Sequence, residues 1–437
     1  MNATNWTRLA CLCGMLWSCM AVAQDVTREA DTLEVLVLLP FCVDADTMDN
    51  GAFPPKVVRL REIALEHLHG FELAAQQLAE AGMDIRLTVK DEMPDSAGRQ
   101  RVTNLDIART DMVFGPLMRE QVGRVAPRVD RFGREHILLT EQPSRLVDRG
   151  PGLRQAVPSE VSMARRLAEE VVARHDTDRV VLVVTQGPDL ALEEAFMETF
   201  DALQRDKWMT PLDSMRYALL DTVHGTTKSI GALPQWISPY DRNIVVSVAG
   251  RSARSMWAAL WTEVQMNDTS ECFIFGHPEV ADMPFLEGPL MEQWRLTLAQ
   301  SGEVRWEDED VAPWVQAFWA QSGTDPSKYA TLAHDALLDA AIRRFPALRW
   351  AVQPLAEPMV WTQLDSAGAW HNDTWAFRFF RDWQWMPLDS AAALEPFVAH
   401  PFYDPEGLLI PIPPDALIRH PELVGVEPFI EVEKEDE

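Results

Sequence analysis

The chain is poor in cysteine and in positive charge, and each scarcity removes a class of explanation. Of its five cysteines, Cys11, Cys13 and Cys19 crowd the N-terminus, leaving Cys42 and Cys272 for the remainder. Two such distant residues make no disulfide framework and show no zinc-ligand spacing; whether they pair or stay thiols is open at this level. Lysine and arginine total 39 against 67 acids, a formal net charge of -28. That field opposes nucleic acid and anionic lipid, favours solubility, and would admit a cationic partner. After residues 9–22 no apolar run approaches the roughly 18 residues that crossing a bilayer requires.

Catalytic signatures are missing as well. The chain has no Gly-x-Ser-x-Gly elbow, no phosphate loop and no dinucleotide glycine fingerprint. Glu66, His67 and His69 lie close together, but residues one and two apart do not share a helix face as the histidines of a zinc helix do. The acids at 307–310 lack the spaced ligands and central glycine of a calcium loop. The expectation is a protein that is not an enzyme, with no cofactor and no metal.

The N-terminus is informative. Arg8 precedes the apolar run, and Ala21 and Ala23 supply the small residues a signal peptidase reads, so residues 1–23 are expected to be a signal peptide. A second reading stays open, lipidation at Cys19, although Trp17 is bulky for such a box. Both readings send the chain out of the cytoplasm, to the periplasm.

Beyond the signal, buried strands alternate with amphipathic helices. Residues 33–41 form an apolar run suited to a central parallel strand. Leu65, Leu68, Phe71, Ala75 and Leu78 then mark a helix over 61–81, closed by Gly82. Strands follow at 85–89, 111–115 and 136–140, and a second series has strands at 179–185, 243–250 and 272–276 with helices at 190–203 and 252–266. Helices are expected at 311–320 and 328–345, and a strand, turn and strand at 375–388. This pattern predicts an α/β chain of two doubly wound, Rossmann-like lobes with parallel central sheets. Expected boundaries are 33–155 plus about 285–345 for lobe 1, and 156–284 plus about 346–388 for lobe 2. The proline-rich acidic segment 391–437 reads as an extended tail.

Several landmarks resemble a known family. Gly70 within its small-residue helix, Asp91 after the second strand, Phe114, Gly115 and Pro116 after the third, a crossover at 153–159, a return at 275–279, and Pro326, Tyr329, His334 and Asp335 occur in the family's order. The chain thus resembles the type I periplasmic binding proteins, the fold of branched-chain amino-acid receptors, over 33–388. Within them it is most similar to Bacteroidetes envelope proteins that join this fold to LysM repeats, and more distantly to outer-membrane lipoprotein activators of penicillin-binding proteins. No LysM repeat precedes Leu33, so wall attachment through that module is not expected.

The resemblance implies two lobes joined by strand crossovers and a ligand cleft lined by loops at the carboxyl ends of the strands. Candidate ligand residues are Phe41, Asp91, Gly115, Pro116, Leu117, Thr140 and Glu141 from lobe 1, and Gln186, Arg251 and His277 from lobe 2. Each has a structural alternative: Asp91 can close a turn, Thr140 can end a strand, Arg251 can be a surface charge and His277 an ordinary loop residue. Family receptors place short hydroxyl residues after the third strand, whereas this chain has Leu117, Met118, Arg119 and Glu120. Two functions remain. One is a solute-binding receptor that takes a small polar ligand, an amino acid or peptide-like molecule, and serves an ABC permease; the other is a receptor-like scaffold for envelope proteins or peptidoglycan synthesis. Trp257 and Trp261, four apart on a helix, and Trp383 and Trp385, alternating on a strand, are read as core, with partner contact as the alternative.

Overall fold

The computed structural model describes residues 32–44, 53–143, 146, 150–174, 179–185, 187, 189–207, 220–224, 237, 243–250, 253–265, 272–306, 308–363 and 368–388. The signal segment 1–23, the tail 391–437, Gln186 and Arg251 lie outside the described residues. The chain divides into one unit of Met1–Val157 and Gly302–Asn372 and another of Pro158–Ser301 and Asp373–Glu437.

The first unit opens with β1 (Leu33–Leu39), buried at every position but Glu34. Such a strand needs cover on both faces, which a central place in a sheet supplies. Then come α1 (Pro55–Glu80), β2 (Ile85–Asp91), α2 (Asn104–Ala108), β3 (Met112–Phe114), α3 (Arg119–Arg131), β4 (Glu135–Leu138) and β5 (Leu153–Gln155). Pro55 starts α1, where its missing N–H costs nothing, and Gly82 follows its end with φ 87°. In the second unit the order is α4 (Glu160–Arg174), β6 (Arg179–Val184), α5 (Leu190–Lys207), β7 (Leu220–His224), β8 (Asn243–Ser247), α6 (Arg254–Gln265), β9 (Cys272–Gly276), α7 (Gly288–Gln293) and β10 (Thr297–Gln300). The chain returns to the first unit for α8 (Val311–Ser322), α9 (Lys328–Arg344), β11 (Trp361–Gln363) and β12 (Trp370–Asn372), and ends in the second with β13 (Ala376–Arg381) and β14 (Gln384–Pro387).

Both sheets repeat one plan. The first runs β11-β12-β5-β4-β3-β1-β2 and the second β14-β13-β10-β9-β8-β6-β7. In each, the first strand lies between the second and the third; six strands of the first sheet run parallel, β12 among them, and only β11 is antiparallel, whereas in the second five run parallel and β13 and β14 pair antiparallel. The doubly wound expectation therefore holds, and the boundaries move. The return falls after Ser301 rather than near 285, because β10 still belongs to the second sheet; the last crossing falls after Asn372 rather than near 346, because β11 and β12 edge the first. Short strands of three or four residues carry too little periodicity to be read in advance.

Some side chains also settle differently from expectation. Trp257 and Trp261 are buried as expected, but Trp383 is 73% exposed and sits in the β13–β14 turn with φ 64°, not on a strand. Cys42 and Cys272 are buried thiols, one in each unit, with no disulfide among the described residues. Glu66, His67 and His69 part company: Glu66 accepts the Ser327 hydroxyl, His67 Nδ1 lies 2.7 Å from the Ile63 carbonyl, and His69 meets Phe318 edge-on.

The first core depends on a close crossing of α1 and α9. A Cβ on Gly70 would lie 2.1 Å from the Ala330 carbonyl oxygen, so that only glycine fits without parting the helices. Gly70→Ala is expected to cost about 2 kcal/mol or more, read as a lower urea midpoint. By contrast, a Cβ on Gly123 in α3 meets nothing nearer than 3.8 Å, so Gly123→Ala should stabilise by about 0.5–1 kcal/mol. Equal effects at the two positions would contradict this account.

Candidate ligand site at the strand ends

Doubly wound sheets bind ligands beyond the carboxyl ends of their strands, where the winding reverses. In the first unit that point lies between β1 and β3. The loop after β1 is pinned by α1: Arg61 donates from Nε to the Phe41 carbonyl at 3.0 Å and from Nη2 to the Cys42 carbonyl at 2.8 Å. Asp91 ends β2 and closes the adjoining turns, its Oδ2 accepting the Val43 N–H at 2.8 Å and its Oδ1 the Met93 N–H at 3.1 Å.

The next residue fills the site. Glu92 is 2% exposed, and its Oε2 accepts the Leu117 N–H at 2.6 Å while Oε1 accepts the Met118 N–H at 3.0 Å. These are the backbone amides just ahead of α3, where the helix dipole favours negative charge. Burial nevertheless dominates and pushes the Glu92 carboxyl up to about 7, against the pull of the two N–H donors.

Most of the remaining polar groups of this rim are also engaged, His136 Nδ1 and Gln142 Oε1 excepted. Gly115 has φ 76°, and a Cβ there would lie 2.3 Å from the Leu38 carbonyl oxygen, so the chain can pass over β1 only as glycine. Its carbonyl lies 2.6 Å from His136 Nε2, and burial lowers that imidazole to about 4. Pro116 and Leu117 are buried behind it, and Pro116 has no N–H to offer. The Thr140 hydroxyl donates to the Leu117 carbonyl at 3.1 Å and accepts from Gln142 Nε2 at 2.8 Å. Glu141 is exposed in the same loop.

In the second unit a buried glutamate again takes strand-end donors, here at the end of β6, the counterpart of β1. Glu193, on the first turn of α5 and 1% exposed, uses Oε1 to accept the Thr185 N–H at 2.6 Å and its hydroxyl at 2.8 Å. At the end of β9, His277 is buried with Nδ1 accepting the Glu279 N–H at 3.1 Å, while Nε2 lies 3.6 Å from Glu160 on α4. The nearby His277 imidazole draws the Glu160 carboxyl below its usual range. Gly250 packs against this pair, its absent Cβ 2.7 Å from Glu279 and 3.0 Å from the His277 ring.

The structure therefore brings Gly115, Leu117 and Thr140 together on one rim and places Phe41 and Asp91 beside it. Glu92, Glu193 and the Glu160 partner of His277 were not anticipated. An acidic pair at the end of a strand, Asp91 with Glu92, was the one available sign.

No family model and no curated protein matches the sequence. Among solved structures, one described as a branched-chain amino acid ABC transporter from Rhodospirillum rubrum superposes with a TM-score of 0.58 at 13% identity, over 82% of this chain and 99% of that one. The C-domain of LpoA (YraM) from Haemophilus influenzae, a regulator of PBP1A, gives 0.50 at 12% identity, over 81% and 99%.

Glu92 makes a pH prediction. Its folded pKa lies above its ordinary value of 4.5, so the native state holds the extra proton and stability is lost as pH rises from 4.5 through 7. His67 and His136, both lowered to about 4 by burial, act oppositely and weaken the fold as pH falls below 6.5. Comparing wild type with Glu92→Gln isolates the first effect: the stability difference should move against wild type by about 3 kcal/mol between acid and alkaline pH. Urea midpoints measured across that range check it, and parallel pH curves for the two proteins would contradict it.

Proposed function

We propose, for a chain with the fold of type I periplasmic binding proteins, an exported, non-catalytic, receptor-like scaffold of the cell envelope. The observation that carries this reading is Glu92, which occupies the amides of Leu117 and Met118 at the point where the first sheet would offer donors to a ligand. A competing carboxylate would have to displace both bonds, which while Glu92 is ionised are charge-assisted and cost about 1.5–3 kcal/mol each. Glu193 supports the same reading in the second unit by consuming the donors of Thr185.

Export rests on residues 1–23, and among the described residues no helix is long and apolar enough to cross a membrane. The LpoA C-domain, titled a regulator of PBP1A, is a use of this fold other than solute transport. An envelope protein is accordingly the partner class, in preference to a permease.

A thermal-shift screen of the exported form against free amino acids tests the reading. Wild type is expected to show no saturable rise, since ligand binding stabilises a fold by mass action. Glu92→Ala exposes the two amides and should gain a saturable response to acetate. Saturable stabilisation of wild type by an amino acid would instead establish the solute-receptor function.

A further inference from the structure

A cavity of about 400 Å³ opens in the first unit between the last turns of α1, the start of α8 and residues 350–355. Its size suits a small ligand. It lies toward the C-terminal end of α1, whereas the strand-end loops are pinned near Arg61 at the other end.

The cavity wall is clamped by polar contacts, of which those of Asp335 are buried. Asp335 of α9 accepts the N–H groups of Leu355 and Ala356, each at 2.9 Å, and also lies 2.8 Å from His334 Nδ1. Arg305 donates from Nη2 to the Pro354 carbonyl at 2.7 Å and pairs through Nη1 with Asp308 at 3.2 Å. Trp314 stacks on Phe318 and meets the His334 ring edge-on at 5.3 Å. A wall held in this way loses little freedom when a ligand arrives.

Its surface chemistry narrows the ligand. Glu80, Asp308 and Asp310 stand against a single cation, Arg305, which disfavours an anion. Arg305 is taken up by Pro354 and Asp308, and Gln76 Nε2 donates to Glu80 Oε1 at 2.9 Å, so the carboxylates and the Gln353 amide are what a ligand meets. Trp350 lines the same cavity and is 83% exposed, with the Arg349 guanidinium 5.0 Å from its ring centroid, so that the other face of the indole stands open to a stacking partner. An uncharged molecule with hydroxyl donors and acceptors around its edge and C–H groups on its face satisfies all of these conditions. We propose that this cavity is a saccharide site, with Trp350 as the stacking platform and the carboxylates and the Gln353 amide reading hydroxyl groups.

Isothermal titration of the full exported chain with oligosaccharides of N-acetylglucosamine and of glucose tests the assignment, with trilysine as the charged comparison. At least one saccharide should give a saturable isotherm that Trp350→Ala weakens by about tenfold or more. Gln353→Ala should weaken it too, while Trp383→Ala in the second unit, removing another exposed tryptophan, should leave it unchanged. Melting temperatures of all three variants should match wild type, because Trp350 and Trp383 are exposed and Gln353 lines an open cavity. The proposal is overturned by no saturable saccharide binding, by affinity that survives Trp350→Ala, or by trilysine binding in place of sugar. Such a failure leaves the Glu92 reading standing, since it rests on other residues.

Discussion

Backbone N–H groups at the carboxyl edge of a parallel sheet need acceptors, and this chain provides them from its own glutamates. Glu92 caps the turn ahead of α3, after the third strand of its sheet, and Glu193 caps the end of β6, the first strand of the other. The rest of the strand-end architecture follows from that choice. Once Leu117 and Met118 are satisfied from below, Thr140 and Gln142 can turn inward to the Leu117 carbonyl, and short hydroxyl donors after β3 are unnecessary. The cost is a buried carboxyl whose protonation is poised near neutrality, offset by bonds from two backbone donors.

The sequence made the framework legible where apolar runs were long. β1 and β9 stood out as apolar segments, interrupted in β1 by Glu34 alone, and α1 as a periodic stripe closed by Gly82. Three-residue strands such as β11 and β12 were invisible, which is why the last crossing was placed too early. Trp383 was misplaced because Asp382 and Trp383 both take positive φ, a conformation that ordinarily selects asparagine or glycine. The α1–α9 crossing was only half visible: Gly70 could be noted, but its demand comes from Ala330, far along the chain.

The site was less legible than the fold for a related reason. Candidates were chosen by their position after strands, and position alone does not reveal whether a group is already partnered. Asp91 was open to a turn-closing role, and its two oxygens do take local N–H groups. Glu92, adjacent to it, reaches donors 25 and 26 residues away, and His277 finds Glu160 on a different element. Such pairings arise from packing, so no local pattern announces them. The same holds for the Trp350 cavity, assembled from three separate stretches of chain.

The central claim is that the Glu92 carboxyl and the amides of Leu117 and Met118 form one coupled unit. NMR titration of the carboxyl carbon of Glu92 together with those two amide nitrogens tests it most directly. The account predicts that all three signals move together, with a midpoint near the raised value of about 7. A carboxyl that titrates at its ordinary value, with amides that do not follow it, would contradict the account.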